Sequence, residues 1–224
     1  MSTPASVAVQ PESFAFTPEN QAAAQKVLGH YPPDRKQSAV LPLLHLAQKQ
    51  HDNWLPRAAM DHVADFLGVP RIKVYEVATF YSMYNKKPMG KHHLQVCTAL
   101  PCWLRGSEEI VGACKRRLGV ELGETTPDGL FTVTETECLG ACANAPVVMN
   151  GQDYYEDLDE PAVIALIDKL ARGEAPTPGS QIGRQGSCPV TGPTTLKDGP
   201  RHVLPASAEA AEPVRAGSEP LHQE

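Results

Sequence analysis

Two closely spaced pairs of cysteines constrain this chain more than any other feature of its sequence. Cys97 and Cys102 form a C-x4-C pair, and Cys138 and Cys142 form a C-x3-C pair. Each pair follows a segment with the alternating pattern of a β-strand. Thiolates are the preferred ligands of soft metal centres, and rigid elements deliver them best. We therefore expect a fold in which the ends of these two strands are neighbours.

The segment that carries these cysteines, residues 91–172, predicts a mixed fold. Its expected elements are a strand over 92–98, a helix that Ser107 caps and Gly119 ends, a strand over 131–137, a hairpin at Asn150-Gly151 and a last helix from Asp159 to Gly173. The order β-α-β-β-β-α is close to that of a thioredoxin-like core. The chain is thus predicted to be α+β, with a thioredoxin-like domain over 91–172.

The preceding segment, residues 17–90, contains helical patterns throughout. Thr17 as N-cap and Pro18 at the first helical position predict a helix that runs to about Gly29. Three further helices are expected over 39–50, 56–67 and 71–80 from their apolar spacing. Residues 17–90 are therefore predicted to form a small helical bundle.

The two ends of the chain show no such periodicity. Residues 1–16 are expected to form a flexible N-terminal lead. The last 52 residues, 173–224, contain eight prolines and seven glycines and few large apolar side chains. Such a segment cannot form its own core, so we expect a tail that is disordered, or extended over a partner surface.

Composition and motifs exclude several classes of function. With 26 acidic against 20 basic residues, the formal charge of −6 argues against nucleic-acid binding. The chain has no apolar run long enough to span a membrane. Its first residues resemble no signal peptide, so we expect a reducing compartment without structural disulfides. Gly-x-Gly-x-x-Gly and Walker patterns are absent, so no NADH, flavin or ATP site is expected in this chain.

Four clustered thiolates admit more than one chemistry. Structural zinc usually takes tight C-x2-C knuckles, which the x4 and x3 spacings fit poorly, but it stays an alternative. Thiol redox catalysis of the thioredoxin type needs C-x-x-C, which does not occur. The loops that follow Cys97 and Cys138 are rich in small and apolar residues, whose backbone N–H groups are free to face sulfur. A [2Fe–2S] cluster is therefore the favoured interpretation.

Three stretches of the sequence resemble a known family. They are Val74-Tyr-Glu-Val-Ala-Thr-Phe-Tyr-Ser-Met-Tyr84, then Cys97-x4-Cys102-Trp-Leu-Arg-Gly-Ser-Glu-Glu, and Glu137-Cys-Leu-Gly-Ala-Cys-Ala-Asn-Ala-Pro146. The family is the small [2Fe–2S] subunit, often called the E subunit, of NADH:quinone oxidoreductase, respiratory complex I. The tail motifs around Gly179–Gln185 and Gly192–Leu196 resemble mitochondrial and α-proteobacterial members.

This resemblance implies a function and a site. Cys97, Cys102, Cys138 and Cys142 would bind one [2Fe–2S] cluster, one pair to each iron, with no catalytic residue in this chain. The partners would be the flavoprotein subunit that binds FMN and NADH and other peripheral-arm subunits, on the cytoplasmic side of the inner membrane or the matrix side of a mitochondrion. Equivalent subunits of NAD-linked hydrogenases and formate dehydrogenases are the alternative, and a structural zinc subunit is a second.

Other candidate residues are assigned ordinary roles. Cys114 lies on the apolar face of its predicted helix, so it is expected in the core. Cys188 is expected to be a bystander thiol in the tail. The histidines of the helical segment are scattered and are expected at the surface. The aromatic residues Tyr75, Phe80, Tyr81 and Tyr84 are expected to form core between the two domains or to contact a partner.

Overall fold

The computed structural model describes residues 10–192. Residues up to 187 belong to one compact unit, and a second unit begins at Cys188. The lead residues 1–9 and the tail residues 193–224 lie outside the described part of the chain. In residues 10–192, no helix is long and apolar enough to cross a membrane.

The helical segment forms the predicted bundle. It contains α1 (Pro18–Leu28), a 3-10 helix (Pro33–Ala39), α2 (Val40–Gln50), α3 (Arg57–Leu67) and α4 (Arg71–Phe80). Thr17 caps α1, since its hydroxyl accepts a hydrogen bond from the Asn20 N–H. The 3-10 helix was not predicted. It fills the space before α2, where the chain turns after Pro32-Pro33.

The helices bury an apolar core that includes part of the lead. Leu43, Leu44 and Val63 are fully buried there. Phe16 is also buried, and its ring packs against His62 and Phe66. The end of the segment expected to be flexible is therefore fixed to the bundle. Its aromatic residues pack into the core, which could not be predicted because the lead shows no helical or strand periodicity.

The remaining elements form a five-stranded sheet with helices. They are β1 (His92–Cys97), α5 (Leu100–Leu104), α6 (Ser107–Leu118), β2 (Phe131–Thr136), β3 (Val148–Asn150), β4 (Asp153–Glu156), α7 (Glu160–Ala171) and β5 (Gly179–Ser180). The strand order is β2-β1-β3-β4-β5. β1 is parallel to β2 and antiparallel to β3, while β5 joins the edge parallel to β4. This arrangement confirms the predicted α+β fold.

One face of this sheet packs against α6 and α7. Leu94 and Val96 of β1 and Val133 of β2 point into that second core, where Ile110 and Ile167 cover them. The alternation of buried and half-buried residues along β1 is the pattern expected of a strand with one covered face. Within residues 10–192 there are thus two main hydrophobic cores, one on each side of residue 90, and a smaller cluster around Cys97 and Cys102. We propose to retain 17–90 and 91–172 as its domains.

Candidate metal centre

Parallel pairing of two strands places the cysteine loops side by side. Cys97 is the last residue of β1, and its partner in the register is Thr136, the last residue of β2. Cys138 follows two residues after that strand end. Because the carboxyl ends of parallel strands lie at the same edge of a sheet, the two loops start as neighbours. The predicted meeting of the cysteine loops is therefore what the sheet register produces.

Cys102 and Cys142 are delivered by two short helices. Cys102 lies on α5, which the sequence analysis missed because five residues are too few to show a helical period. Cys142 begins a 3-10 turn that ends at Asn144. Between Cys138 and Cys142 the chain passes through Gly140, whose φ of 83° is unfavourable for residues with a side chain.

The four thiols divide into a buried pair and an exposed pair. Cys97 and Cys102 are each 2% exposed and pack against Ala145 and Val147. Cys138 and Cys142 are exposed, with their sulfur atoms 3.3 Å apart. That separation is far longer than a disulfide bond of about 2.05 Å. Both thiols are therefore free.

The pKa values of the thiols show that the two pairs influence each other. Burial raises the pKa of Cys102 to about 12, with smaller contributions from Cys97 and Cys142. The hydrogen bond with Cys138 raises the pKa of Cys142, and Cys97 contributes as well. The backbone N–H of Gly140 lowers the pKa of Cys138, while Glu137 opposes this. Without a cation, Cys102 and Cys142 therefore resist ionisation while Cys138 ionises more readily, and a bound metal would displace the protons that remain.

The donor set fits an iron–sulfur cluster. Four thiols, two of them in an apolar pocket and one with a backbone N–H directed at its sulfur, are the ligand type and the surroundings that such clusters use. In residues 10–192, no three candidate ligand side chains stand at the spacing that a single metal ion requires. In a two-iron cluster each iron takes two thiolates from the protein, so the arrangement to look for is a pair of neighbouring cysteines and not a group of three ligands.

Several predictions about neighbouring residues are corrected. Ser107 is not the N-cap of α6: Gly106 holds that position, and the Ser107 hydroxyl is buried without a hydrogen-bond partner. Of the aromatic residues expected either in the core between the domains or at a partner contact, Tyr84 is buried, whereas Phe80 and Tyr81 are exposed, so the partner contact stays a prediction for those two. His62 is half-buried among the Phe14, Phe16 and Phe66 rings, not at the surface.

The remaining cysteines have different positions. Cys114 is fully buried in the core beneath the sheet, as predicted, and burial raises its pKa to about 12. Cys188 begins the second unit. Trp103, next to Cys102, is 51% exposed, and Leu100 and Leu104 on the same helix are also exposed. α5 therefore presents an apolar surface beside the buried cysteine pair.

The tail contributes contacts to this region that the sequence analysis did not predict. β5 belongs to the segment expected to be disordered or to cover a partner, and it pairs with β4 instead. Arg184 forms an ion pair with Asp157, and the Asn144 side chain donates to the Gly186 carbonyl. The Gly179–Gln185 motif was the sequence feature that drew attention to this segment. Its contacts with Asp157 and Asn144 could not be predicted, because these residues are distant from it in sequence.

Comparisons with known proteins agree with this geometry. The family model of the thioredoxin-like [2Fe-2S] ferredoxin matches residues 24–171. The E subunit of the NADH-quinone oxidoreductase of Rickettsia conorii is 54% identical over 158 residues, which are 70% of this chain and 95% of that protein. The mitochondrial NADH dehydrogenase [ubiquinone] flavoprotein 2 of Dictyostelium discoideum is 46% identical over 187 residues, or 84% of this chain and 76% of that protein.

A solved structure shares the fold. It is an NAD+-reducing [NiFe]-hydrogenase in the air-oxidized state, with a TM-score of 0.52 and 20% sequence identity. The match covers 60% of this chain and 23% of the hydrogenase chain, so this chain spans about a quarter of that protein's length.

Proposed function

The chain belongs to the thioredoxin-like [2Fe–2S] ferredoxin family, and on that premise we propose that it is the electron-transferring E subunit of an NADH-quinone oxidoreductase. The observation that carries this proposal is the parallel register of β1 and β2, which starts the Cys97–Cys102 loop beside the Cys138–Cys142 loop. Charge on Cys142 acts on Cys102 and charge on Cys97 acts on Cys142, which supports a shared site for the two pairs. The match to the Rickettsia relative covers nearly its whole length, which favours that complex over others with the same fold.

The cofactor is one [2Fe–2S] cluster, which supplies one-electron transfer when bound. We assign Cys97 and Cys102 to one iron and Cys138 and Cys142 to the other. The first pair is held in an apolar pocket that excludes water, and the second pair lies at the surface. Their difference in exposure predicts that oxidants and chelators reach the iron held by the second pair first.

Neighbouring groups set the electrostatics around the ligands. The Gly140 N–H stabilises negative charge on Cys138 sulfur, and the Glu137 carboxylate destabilises it. Carboxylates near such a centre lower its potential because added negative charge is repelled.

The chain works as one subunit among several. We propose that its partner is the subunit that binds FMN and NADH, and that it occupies a peripheral position on the cytoplasmic or matrix side of the membrane. No NADH or flavin motif occurs in its sequence. The oxidoreductase activity therefore belongs to the assembled complex.

Metal analysis of the purified full chain tests the cofactor. Iron, zinc and acid-labile sulfide are measured, and the dithionite-reduced chain is examined by EPR. About two irons and two sulfides per chain, with a rhombic S = 1/2 signal, are expected. One zinc without sulfide or signal, even after anaerobic reconstitution with iron and sulfide, would replace the electron-transfer role with that of a structural zinc subunit.

Isolation of the tagged chain from its native host tests the complex. Co-purification with NADH:quinone reductase activity is expected. Co-purification with hydrogenase or formate dehydrogenase activity instead would move the chain to one of those complexes and leave its cofactor assignment intact.

A further inference from the structure

A segment of the tail crosses the edge of the sheet beside the exposed cysteine pair. We call residues 179–187 the strap. Its first two residues form β5 against β4, and the Gln181 N–H then donates to the Glu156 carbonyl. The strap is therefore part of the folded unit and not a loose extension.

A nearly buried ion pair anchors the strap. Arg184 donates to both carboxylate oxygens of Asp157, through Nε at 3.0 Å and Nη2 at 2.9 Å. The Ser180 hydroxyl donates to the same carboxylate at 2.7 Å. The side chains of Asp157 and Arg184 are only 3% and 14% exposed. Removing one partner of such a pair leaves an uncompensated charge away from water, so the contact is energetically demanding.

A second set of contacts joins the strap to the cysteine loop. Asn144, 3% exposed, ends the turn that begins at Cys142. Its side-chain amide donates to the Glu156 carboxylate at 2.6 Å and to the Gly186 carbonyl at 2.8 Å. Its backbone carbonyl accepts from the Asp157 N–H at 2.7 Å. The same two residues of the sheet edge, 156 and 157, therefore bind both the cysteine loop and the strap.

The two cysteine pairs differ in what holds them. Cys97 is fixed by a strand and Cys102 by the apolar packing around it. Cys138 and Cys142 are exposed, and the loop between them packs through the partly buried Leu139 and Ala141. The hydrogen bonds at Asn144 add a second, polar attachment at the end of this loop.

We propose that the strap is a positioning device for the exposed iron: Arg184 and Asn144 hold the Cys138–Cys142 loop in the conformation that binds metal. This inference rests on the proposed function, because it requires that the four cysteines bind a cluster. Arg184 and Asn144 act on the ligands through the loop, as outer partners of metal ligands commonly do.

The test compares three variants of the full chain, each reconstituted with iron and sulfide. Arg184→Gln removes the ion pair, and Asn144→Ala removes the two side-chain hydrogen bonds. Arg172→Gln is the matched control, because it breaks an ion pair with Glu174 that is largely exposed. The rate of iron release to a strong chelator is measured, with the EPR spectrum of the reduced cluster and the thermal unfolding of each metal-free chain.

The expected result is iron release roughly 10–100-fold faster in Arg184→Gln and Asn144→Ala, the range typical for outer partners of metal ligands. Arg172→Gln should release iron at the wild-type rate. The EPR g values should shift in the first two variants and not in the control. If Arg184→Gln fails to fold, Asn144→Ala carries the test, since it leaves the ion pair intact.

Two results would overturn the inference alone. One is wild-type iron release in both Arg184→Gln and Asn144→Ala while the wild-type chain holds two irons. The other is faster release that the lower stability of the metal-free variants accounts for entirely, with unchanged g values. A wild-type chain that binds no iron would refute the proposed function and this inference together.

Discussion

Replacing Gly90 with alanine is predicted to destabilise the fold through a backbone clash at the start of β1. A Cβ atom at this position would lie 2.6, 2.8 and 2.9 Å from the carbonyl carbon, nitrogen and Cα of Phe131. Ordinary contact begins near 3.4 Å, so the facing backbone would have to retreat by roughly 0.8 Å. Backbone cannot rotate away as the end of a side chain can.

The clash would also disturb the hydrogen bonds that align β1 with β2, because they lie at the same position. The Gly90 N–H donates to the Thr132 hydroxyl at 2.7 Å, and the His92 N–H donates to the Leu130 carbonyl. Overpacking at such a site typically costs about 1–3 kcal/mol. For a chain of this size each kcal/mol lowers Tm by about 2–4 °C.

A second glycine provides a control, because its replacement with alanine is expected to raise stability instead of lowering it. In Gly112→Ala, the new Cβ would meet only the end of the flexible Arg116 side chain, at 3.0 Å. Gly112 lies inside α6, where alanine is more favourable than glycine by about 0.5–1 kcal/mol. Urea unfolding of both variants should therefore give shifts in opposite directions. A Gly90→Ala chain as stable as the wild type would refute the reasoning from the clash.

Three other substitutions have defined outcomes. Glu137→Gln should raise the midpoint potential of the reconstituted chain by on the order of 10–60 mV in a redox titration, and Glu19→Gln, at the start of α1, should not. Burial, with a smaller effect of a nearby lysine, lowers the pKa of His93 to about 4, so neutral His93 supports the fold above pH 6.5 and this support is lost as the pH falls towards 4. Between pH 6.5 and pH 4, the free energy of unfolding of His93→Gln should fall by about 3 kcal/mol less than that of the wild type. A variant with the same pH profile as the wild type would contradict this role of His93. Phe16→Ala should cost about 3–5 kcal/mol because its ring is 5% exposed, whereas Phe80→Ala, at 80% exposure, should be close to neutral in the same urea assay.

The elements that sequence reasoning identified are those specified by local chemistry. Thr17 caps α1 as predicted, Asp159 lies at the predicted start of the last helix and caps it, and the Asn150-Gly151 turn joins β3 and β4. α5 and the 3-10 helix at 33–39 were missed because they contain too few turns to establish a period. Ser107 was assigned as a cap from its residue type alone, but its side chain is buried and Gly106 begins the helix.

Errors about burial have a different origin. Phe16 and Phe80 are the same residue type, yet one is 5% and the other 80% exposed. Which aromatic residue enters the core depends on the packing of helices distant in sequence. His62 lies within the bundle for the same reason, since Phe14 and Phe16 return across α3 to cover it.

The sequence by itself determined which thiols we propose as metal ligands, because residue type and spacing are written in it. C-x4-C and C-x3-C after two strands predicted that the two cysteine loops would be neighbours. Only the tertiary structure decided that Cys97 and Cys102 are buried while Cys138 and Cys142 are exposed. It also decided that Arg184, 42 residues after Cys142, is tied to the loop of that cysteine through Asp157. Burial and long-range ion pairing arise only when segments distant along the chain pack together, and no local pattern encodes them.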